Sequence, residues 1–192
     1  MIPELNPDGR QQMPRKKTAL ARDHARDIAT SWARERPDLD PLDYLMPIYL
    51  IRIGRIVERD ADQRAKRKFG ISSAELRVLL ALRRVGGTYS RRPTDLFRAL
   101  LVTSGAITKN VDRLTALGLV KRLPDPSDKG GFLIHLTARG KNVADKSITD
   151  LVASSILSRN ILSLTRQERK TMIKLCGQIL LDLEALGDDD AG

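Results

Sequence analysis

Residues 103–114 read Thr-Ser-Gly-Ala-Ile-Thr-Lys-Asn-Val-Asp-Arg-Leu. Ile107, Val111 and Leu114 recur at helical spacing and must form an inward stripe. Ser104, Thr108, Lys109 and either Asp112 or Arg113 are then left to face outward, with Thr103 as N-cap. Small side chains near the start of such a helix let it approach a DNA major groove closely. Serine and threonine hydroxyls can bond phosphates or base edges, and lysine can reach guanine. Asn110 can read adenine if it faces out. The plainer reading is an ordinary surface helix with a polar face, and the neighbouring elements decide between the two.

Upstream, Arg92-Pro93-Thr94-Asp95-Leu96 opens another short helix that ends near Leu101. Two short helices joined by a three-residue turn form a helix-turn-helix. Downstream, residues 119–123 and 132–136 alternate apolar and polar side chains and predict two half-buried strands. The connection, 124–131, is a flexible loop rich in turn residues. Asp125 and Asp128 within it are expected to cap turns through their own side chains and not to bind metal. Lys129 at the tip is placed to meet a backbone phosphate or the minor groove. Strand, loop and strand directly after a helix-turn-helix make a wing.

The remaining elements are helical. From Lys16, the residues Ala21, Ala25, Ile28, Ala29 and Trp32 form one stripe, with Arg22, Asp23, Arg26 and Asp27 facing away. Asp40 and Pro41 can open a second helix that runs to about Phe69, with Gly70 as C-cap. Pro47 leaves two readings, a start nearer Leu45 or a kink. Ser73 is expected to cap a central helix over 74–85, and Thr137 a long helix reaching Leu162. Thr165 and Glu168 form a capping box for the last helix. Met172, Leu175, Cys176, Ile179, Leu183 and Leu186 share one stripe of that helix, and Cys176 there reads as a small buried hydrophobe.

The expected fold is mostly α with a small β wing, a winged helix-turn-helix flanked by N- and C-terminal dimerisation helices. Its parts are a flexible arm (1–15), N-terminal helices for dimerisation and a ligand pocket (16–70), the DNA-binding domain (71–140), C-terminal dimerisation helices (141–187) and an acidic tail (188–192). The flanking helices are too long and too apolar on one face to stay solvated, and a twofold dimer is the commonest partner surface.

Composition narrows the function. The 192 residues carry a net charge of +10, which points to an anionic partner such as nucleic acid or an acidic membrane surface. Basic residues are spread over many elements and not along one helix face, which disfavours the membrane. No apolar run approaches the roughly 18 residues of a membrane span, and the N-terminus lacks a signal-peptide layout. One cysteine excludes an internal disulfide framework. His24, His135 and Cys176 make no metal site. The chain reads as a cytoplasmic protein without a cofactor and, lacking a catalytic triad, phosphate loop or carboxylate pair, as no enzyme.

The segments Ser104-Gly105-Ala106-Ile107-Thr108, Asp112-Arg113-Leu114, Gly118-Leu119-Val120, Arg122, Asp125-Pro126-Ser127-Asp128, Leu136-Thr137 and Gly140 resemble the MarR family of winged-helix transcriptional regulators. Further upstream, Trp32-Ala33-Arg34-Glu35-Arg36-Pro37-Asp38-Leu39-Asp40 resembles the extra N-terminal helix of the PecS and urate-responsive branch. The resemblance implies a homodimer on a pseudo-palindromic operator, released when a small anionic ligand binds between the dimer helices and the DNA-binding lobe. It implies DNA contacts from Thr103, Ser104, Thr108, Lys109, Arg113 and Lys129, and a ligand set of Trp32, Arg77 and Asn110. Arg77 stands where the branch carries an aspartate, Asn110 where it carries an arginine, and Gly130 where the wing usually has its arginine. An added guanidinium favours a planar carboxylate or phosphate. The expected effector is therefore a small anionic aromatic ligand, such as an aromatic carboxylate, or an aromatic acyl-CoA, in place of urate. The alternative is an architectural, nonspecific DNA-binding protein without an effector.

Overall fold

The computed structural model describes residues 23–189, with side chains through Ala185. The arm expected over 1–15, the first turns expected from Lys16, the side chain of Leu186 and the end of the acidic tail lie outside the described residues. Two units are distinguished, one spanning Asp23–Ser155 and the other containing the helices from Ile156 onward.

In the first unit, the described part of the expected first helix is α1 (His24–Glu35). Asp23, expected on the outward face of the helix, is instead its N-cap and accepts the Ala25 and Arg26 amides. Helix α2 (Pro41–Phe69) starts where Asp40 caps and Pro41 fits the first turn, so the start nearer Leu45 is not taken. Pro47 sits inside the helix, and Gly70 closes it in the left-handed conformation at φ 68°. Tyr44 joins the two helices by donating to the Ala29 carbonyl at 3.1 Å.

Helix α3 (Ser73–Arg84) is capped one residue earlier than expected. Ser72 accepts the Glu75 amide and the Glu75 carboxylate takes the Ser72 amide, a reciprocal capping box. Val78, Leu79 and Leu82 of α3 are fully buried. They meet Leu96 of α4 (Pro93–Leu100), then Ile107, Val111 and Leu114 of α5 (Ser104–Ala116), which form the expected inward stripe. Each such side chain contributes roughly 1.5–3 kcal/mol by leaving water, so the core fixes the orientation of α5 firmly.

The sheet has three antiparallel strands in the order β1–β3–β2, where two were expected. The added strand, β1 (Ser90–Arg91), is too short to show alternation and pairs with His135 and Ile134 of β3 (Asp128–Leu136). Strand β2 (Val120–Asp125) pairs along β3 from Val120–Leu136 to Pro124–Phe132 and then jumps to Asp125–Asp128. The expected loop over 124–131 is thus a two-residue turn, Pro126-Ser127, with a bulge holding Lys129, Gly130 and Gly131.

Helix α6 (Ala138–Ser154) begins at its expected cap, Thr137. It stops at Ser155 and does not reach Leu162. The Arg64 guanidinium of α2 donates to the Ser154 carbonyl at 2.6 Å and to the Asp150 carbonyl at 3.0 Å. The Ser154 carbonyl is one that a helix end leaves free, and Ser155 turns extended at ψ 149°. Asp150 also pairs with Arg64 and Lys68.

In the second unit, α7 (Ile156–Leu162) and α8 (Arg166–Asp189) follow. The Thr165–Glu168 capping box opens α8 as expected, with amide contacts of 2.7 and 3.2 Å. The helix continues through Asp189, so the first acidic residues of the expected tail are helical. Cys176 is exposed in this chain, against the expectation of burial. Among the described residues no helix is long and apolar enough to cross a membrane.

Candidate nucleic-acid interface

The helix-turn-helix closes on Leu101, which adopts φ 52° and ψ 48° as the C-cap of α4. Thr103 then caps α5 by accepting the Ala106 amide at 3.3 Å. Its oxygen is therefore partly committed to the fold. Thr108 donates its hydroxyl to the Ser104 carbonyl at 3.1 Å, which leaves the lone pairs of its oxygen open to a donor. Ser104, Gly105, Thr108, Lys109, Asp112 and Arg113 are exposed, whereas Asn110 is half-buried. Lys109 makes no ion pair among the described residues. The outward face of α5 is thus small, hydroxylic and basic, on a helix that its other face pins to the core.

Two ion pairs leave α5 in different directions. Arg113 Nε pairs with Glu75 Oε1 of α3 at 2.9 Å, and Asp112 pairs with Arg122 of β2 at 2.5 Å. Arg122 also lies over the Phe132 ring, 5.1 Å from its centroid.

At the wing, Lys129 is exposed on the bulge. Asp125 behaves as a turn-capping residue, accepting the Ser127 amide at 2.9 Å and its hydroxyl at 2.7 Å. It has a second role that the sequence reading lacked. Arg92, just before α4, donates Nε to Asp125 at 2.6 Å and a terminal nitrogen to Ser127 at 2.6 Å. The Arg92 guanidinium, then the Ser127 hydroxyl, hold the Asp125 carboxyl down at about 2. Asp128 accepts the Gly130 amide at 3.2 Å. A Cβ on Gly131 would lie 2.5 Å from the Asp128 carboxylate, so the bulge turns closely around that side chain.

The ligand set expected from the resemblance is not joined in the described residues by any hydrogen bond, ion pair or ring contact. Trp32 lies on α1, 53% exposed in the single chain, and not on a buried inner stripe. Arg77 is exposed on α3 and pairs with Glu58 of α2 at 2.5 Å. Glu58 also accepts the Ser73 hydroxyl, at 2.5 Å. Burial is the largest single influence on the Glu58 carboxyl and raises it, yet the Ser73 and Arg77 donors together outweigh burial and hold it below the usual range. An open groove adjoins this pair, lined by Gly54, Arg55, Glu58, Arg59, Asp62 and Ser73. Among the described residues no group of three or more His, Cys, Asp or Glu side chains is placed to hold a metal ion.

Glu75, Arg92 and Arg122 were missed by sequence reasoning. Glu75 had a signal, since Ser72 followed three residues later by glutamate is a capping box. Arg92 had none, because its partner is distant in sequence, and Arg122 stood only among the residues that carry the resemblance, with no local pattern to show its pairing with Asp112.

Residues 69–129 match the MarR family model. The transcriptional regulator PecS of Dickeya dadantii is 31% identical over 154 residues, 80% of this chain and 90% of PecS. The chain belongs to the MarR family. The multiple antibiotic resistance protein MarR of Escherichia coli is 33% identical over 110 residues, 57% of this chain and 74% of that protein. A solved structure of a cysteine-to-serine variant of E. coli MarR with operator DNA superposes at a TM-score of 0.58 and 29% identity, covering 71% of this chain and 97% of that one. A MarR-family regulator of Streptomyces coelicolor, Sco5413, shares the fold at a TM-score of 0.63 and 22% identity, over 76% of this chain and 96% of its own. This MarR-family protein is thus a transcriptional regulator, from a family of regulators and not of enzymes.

Proposed function

We propose that this regulator is a homodimeric repressor that binds a pseudo-palindromic operator through α5 and the wing, and is released by a small anionic aromatic effector or an aromatic acyl-CoA. The observation that carries the DNA reading is the outward face of α5. Ser104, Thr108, Lys109 and Arg113 are exposed on a helix whose Ile107, Val111 and Leu114 are locked in the core. Thr103 serves chiefly as the cap that aims this face, and Lys129 adds a charge from the wing. Dimerisation is supported by apolar side chains left uncovered in the single chain. Leu42, Met46, Leu50 and Ile53 are exposed on α2, and Leu175, Ile179, Leu180 and Leu183 on α8. Apolar surface on that scale marks an association site.

The effector reading rests on Arg77 beside the groove between α2 and α3. Its guanidinium is held by Glu58, so an incoming carboxylate must exchange with that side chain, which keeps Ser73 as a donor. Trp32 supplies an exposed aromatic face for the ring on this reading, and Asn110 a half-buried amide.

Gel shift and footprinting test the first part, with sedimentation for the assembly. A dimer should protect a site with a dyad, its half-sites one helical turn apart, and prefer it over random DNA by roughly 10³–10⁷. Equal affinity for both DNAs would support the architectural alternative and overturn this reading. Trp32 is the only tryptophan, so its fluorescence reports the second part. Benzoates, hydroxycinnamates and their CoA thioesters should shift the emission and lower operator affinity together. Arg77→Ala should remove both responses while leaving DNA binding without effector intact. A response like that of wild type refutes Arg77 as an effector ligand.

A further inference from the structure

Arg113 and Glu75 form a pair of unequal exposure. The arginine side chain is 63% exposed and the carboxylate 4%. Glu75 Oε2 accepts the Ser72 amide at 2.6 Å, and Oε1 lies 2.9 Å from Arg113 Nε in an ion pair. A buried carboxylate is tolerated only when its oxygens are bonded and its charge is met. Arg113 is the cation that meets it.

The geometry of this pair decides what remains for DNA. Arg113 meets Glu75 through its Nε edge as an ion pair, so the four N–H donors of the two terminal nitrogens stay available at the exposed end of the side chain. Lys109 lies four residues earlier on α5, and the two cations therefore share one ridge. An unheld arginine on a solvent-facing helix would sample many rotamers and lose that freedom on binding. Held by Glu75, it meets DNA as a fork already in place. Asp112, the preceding residue, runs to Arg122 on β2, so α5 is fastened to α3 through one residue and to the wing through the next.

We propose that Glu75 is a positioning residue for operator recognition: without touching DNA, it fixes the Arg113 guanidinium on the outward ridge of α5, and discrimination between operator and random sequence depends on it. This rests on α5 being the helix that reads DNA.

Glu75→Gln is the test. A glutamine oxygen still accepts the Ser72 amide, which keeps the cap of α3, and the charge that holds Arg113 is gone. Affinities are measured for two duplexes of equal length, one selected by the wild-type chain from a randomised library and one unrelated. Glu75→Gln should weaken the selected duplex about tenfold, the worth of one bidentate bond to a base. Binding to the unrelated duplex should hold or rise, because the freed guanidinium adds uncompensated positive charge. Arg113→Lys, which keeps the charge and removes the fork, should show a similar drop in preference. In an Arg113→Ala background, Glu75→Gln should weaken the selected duplex no further. Additive losses, or equal losses on both duplexes, would overturn the proposal. If wild type prefers its selected duplex and Glu75→Gln prefers it equally, the Glu75 assignment alone fails. If wild type shows no preference, the reading of α5 fails with it.

Discussion

Replacing Gly140 with alanine measures how tightly α6 is seated against the root of the wing. In an open helix this exchange stabilises by about 1 kcal/mol, because alanine loses less backbone freedom than glycine. At position 140 the added Cβ would stand 2.0 Å from the Leu119 carbonyl oxygen and 2.8 Å from Leu136 Cδ1. The leucine methyl can rotate aside. The carbonyl cannot, because it accepts both the Thr137 amide at 3.1 Å and the Thr137 hydroxyl at 3.0 Å. A carbon–oxygen contact needs roughly 3.3 Å, so the two backbones must part by about 1.3 Å. That movement breaks the Thr137 amide bond, at about 1 kcal/mol, while the Thr137 hydroxyl keeps the Gly118 carbonyl as its acceptor at 2.9 Å. Overpacking adds about 1–3 kcal/mol. After the helix-propensity gain is subtracted, the net destabilisation should be about 1–3 kcal/mol. Urea unfolding followed by helical circular dichroism reads it directly. Gly105→Ala is the reference, since a Cβ there meets nothing within 4 Å. Its stability should be unchanged or higher by less than about 1 kcal/mol. A Gly140→Ala chain as stable as wild type would refute the account of how α6 is anchored.

Acid titration should expose the Arg92–Asp125 tie. Because the folded carboxyl is depressed to about 2 from its ordinary 3.8, the stability it contributes is present above the unfolded value and lost as pH falls through the folded one. Unfolding curves should therefore weaken from about pH 4 down to about pH 2, and Asp125→Asn should flatten that limb; an unchanged limb would show that the pair carries no linkage. On DNA, Lys129→Ala should weaken all sequences alike and reduce the salt slope by about 1, as removal of a phosphate partner does. Thr108→Ala or Lys109→Ala should instead alter preference among operator variants, and identical profiles for wing and helix substitutions would contradict the assigned roles.

Legibility in the sequence followed the range of the interactions. The inward stripe of α5, the Thr103, Thr137 and Thr165 caps and the Gly70 terminus all depend on neighbours within four residues, and all were readable. The cap of α3 was misplaced by one because Ser72 and Ser73 are both good caps, and only the glutamate three residues on separates them. Where a distant partner decides, the pattern was silent. Helix α6 looks continuous past Ser155 until Arg64, from α2, takes the Ser154 carbonyl at its end. Strand β1 exists because β3 offers it an edge. The wing loop reads as flexible because its glycines and prolines suit a turn. What shortens it is Arg92, bonding Asp125 and Ser127 from outside the hairpin. The same limit applied to the site. The exposed hydroxyls and Lys109 on α5 follow from periodicity, but the commitment of Arg77 to Glu58 does not.

A net charge of +10 does not by itself say where DNA would lie, because many of the cations are neutralised inside the fold. Arg92, Arg113 and Arg122 each meet an acid, and each joins one element of the winged domain to another. Arg64 and Lys68 are engaged by Asp150 at the end of α6. Among the described residues of this domain, Arg84, Arg91, Arg98, Lys109, Lys121, Lys129 and Arg139 make no ion pair. Only such uncommitted charges can release counterions from DNA without first giving up a partner. Lys109 and Lys129 stand on the two elements that the fold aims outward, and the pairs made by Arg92 and Arg122 keep those elements in register. An architectural coat would need free cations and little else. A helix whose adjacent Asp112 and Arg113 are fastened to the wing and to α3 is built to hold one orientation, and a fixed orientation is what reading a base sequence requires.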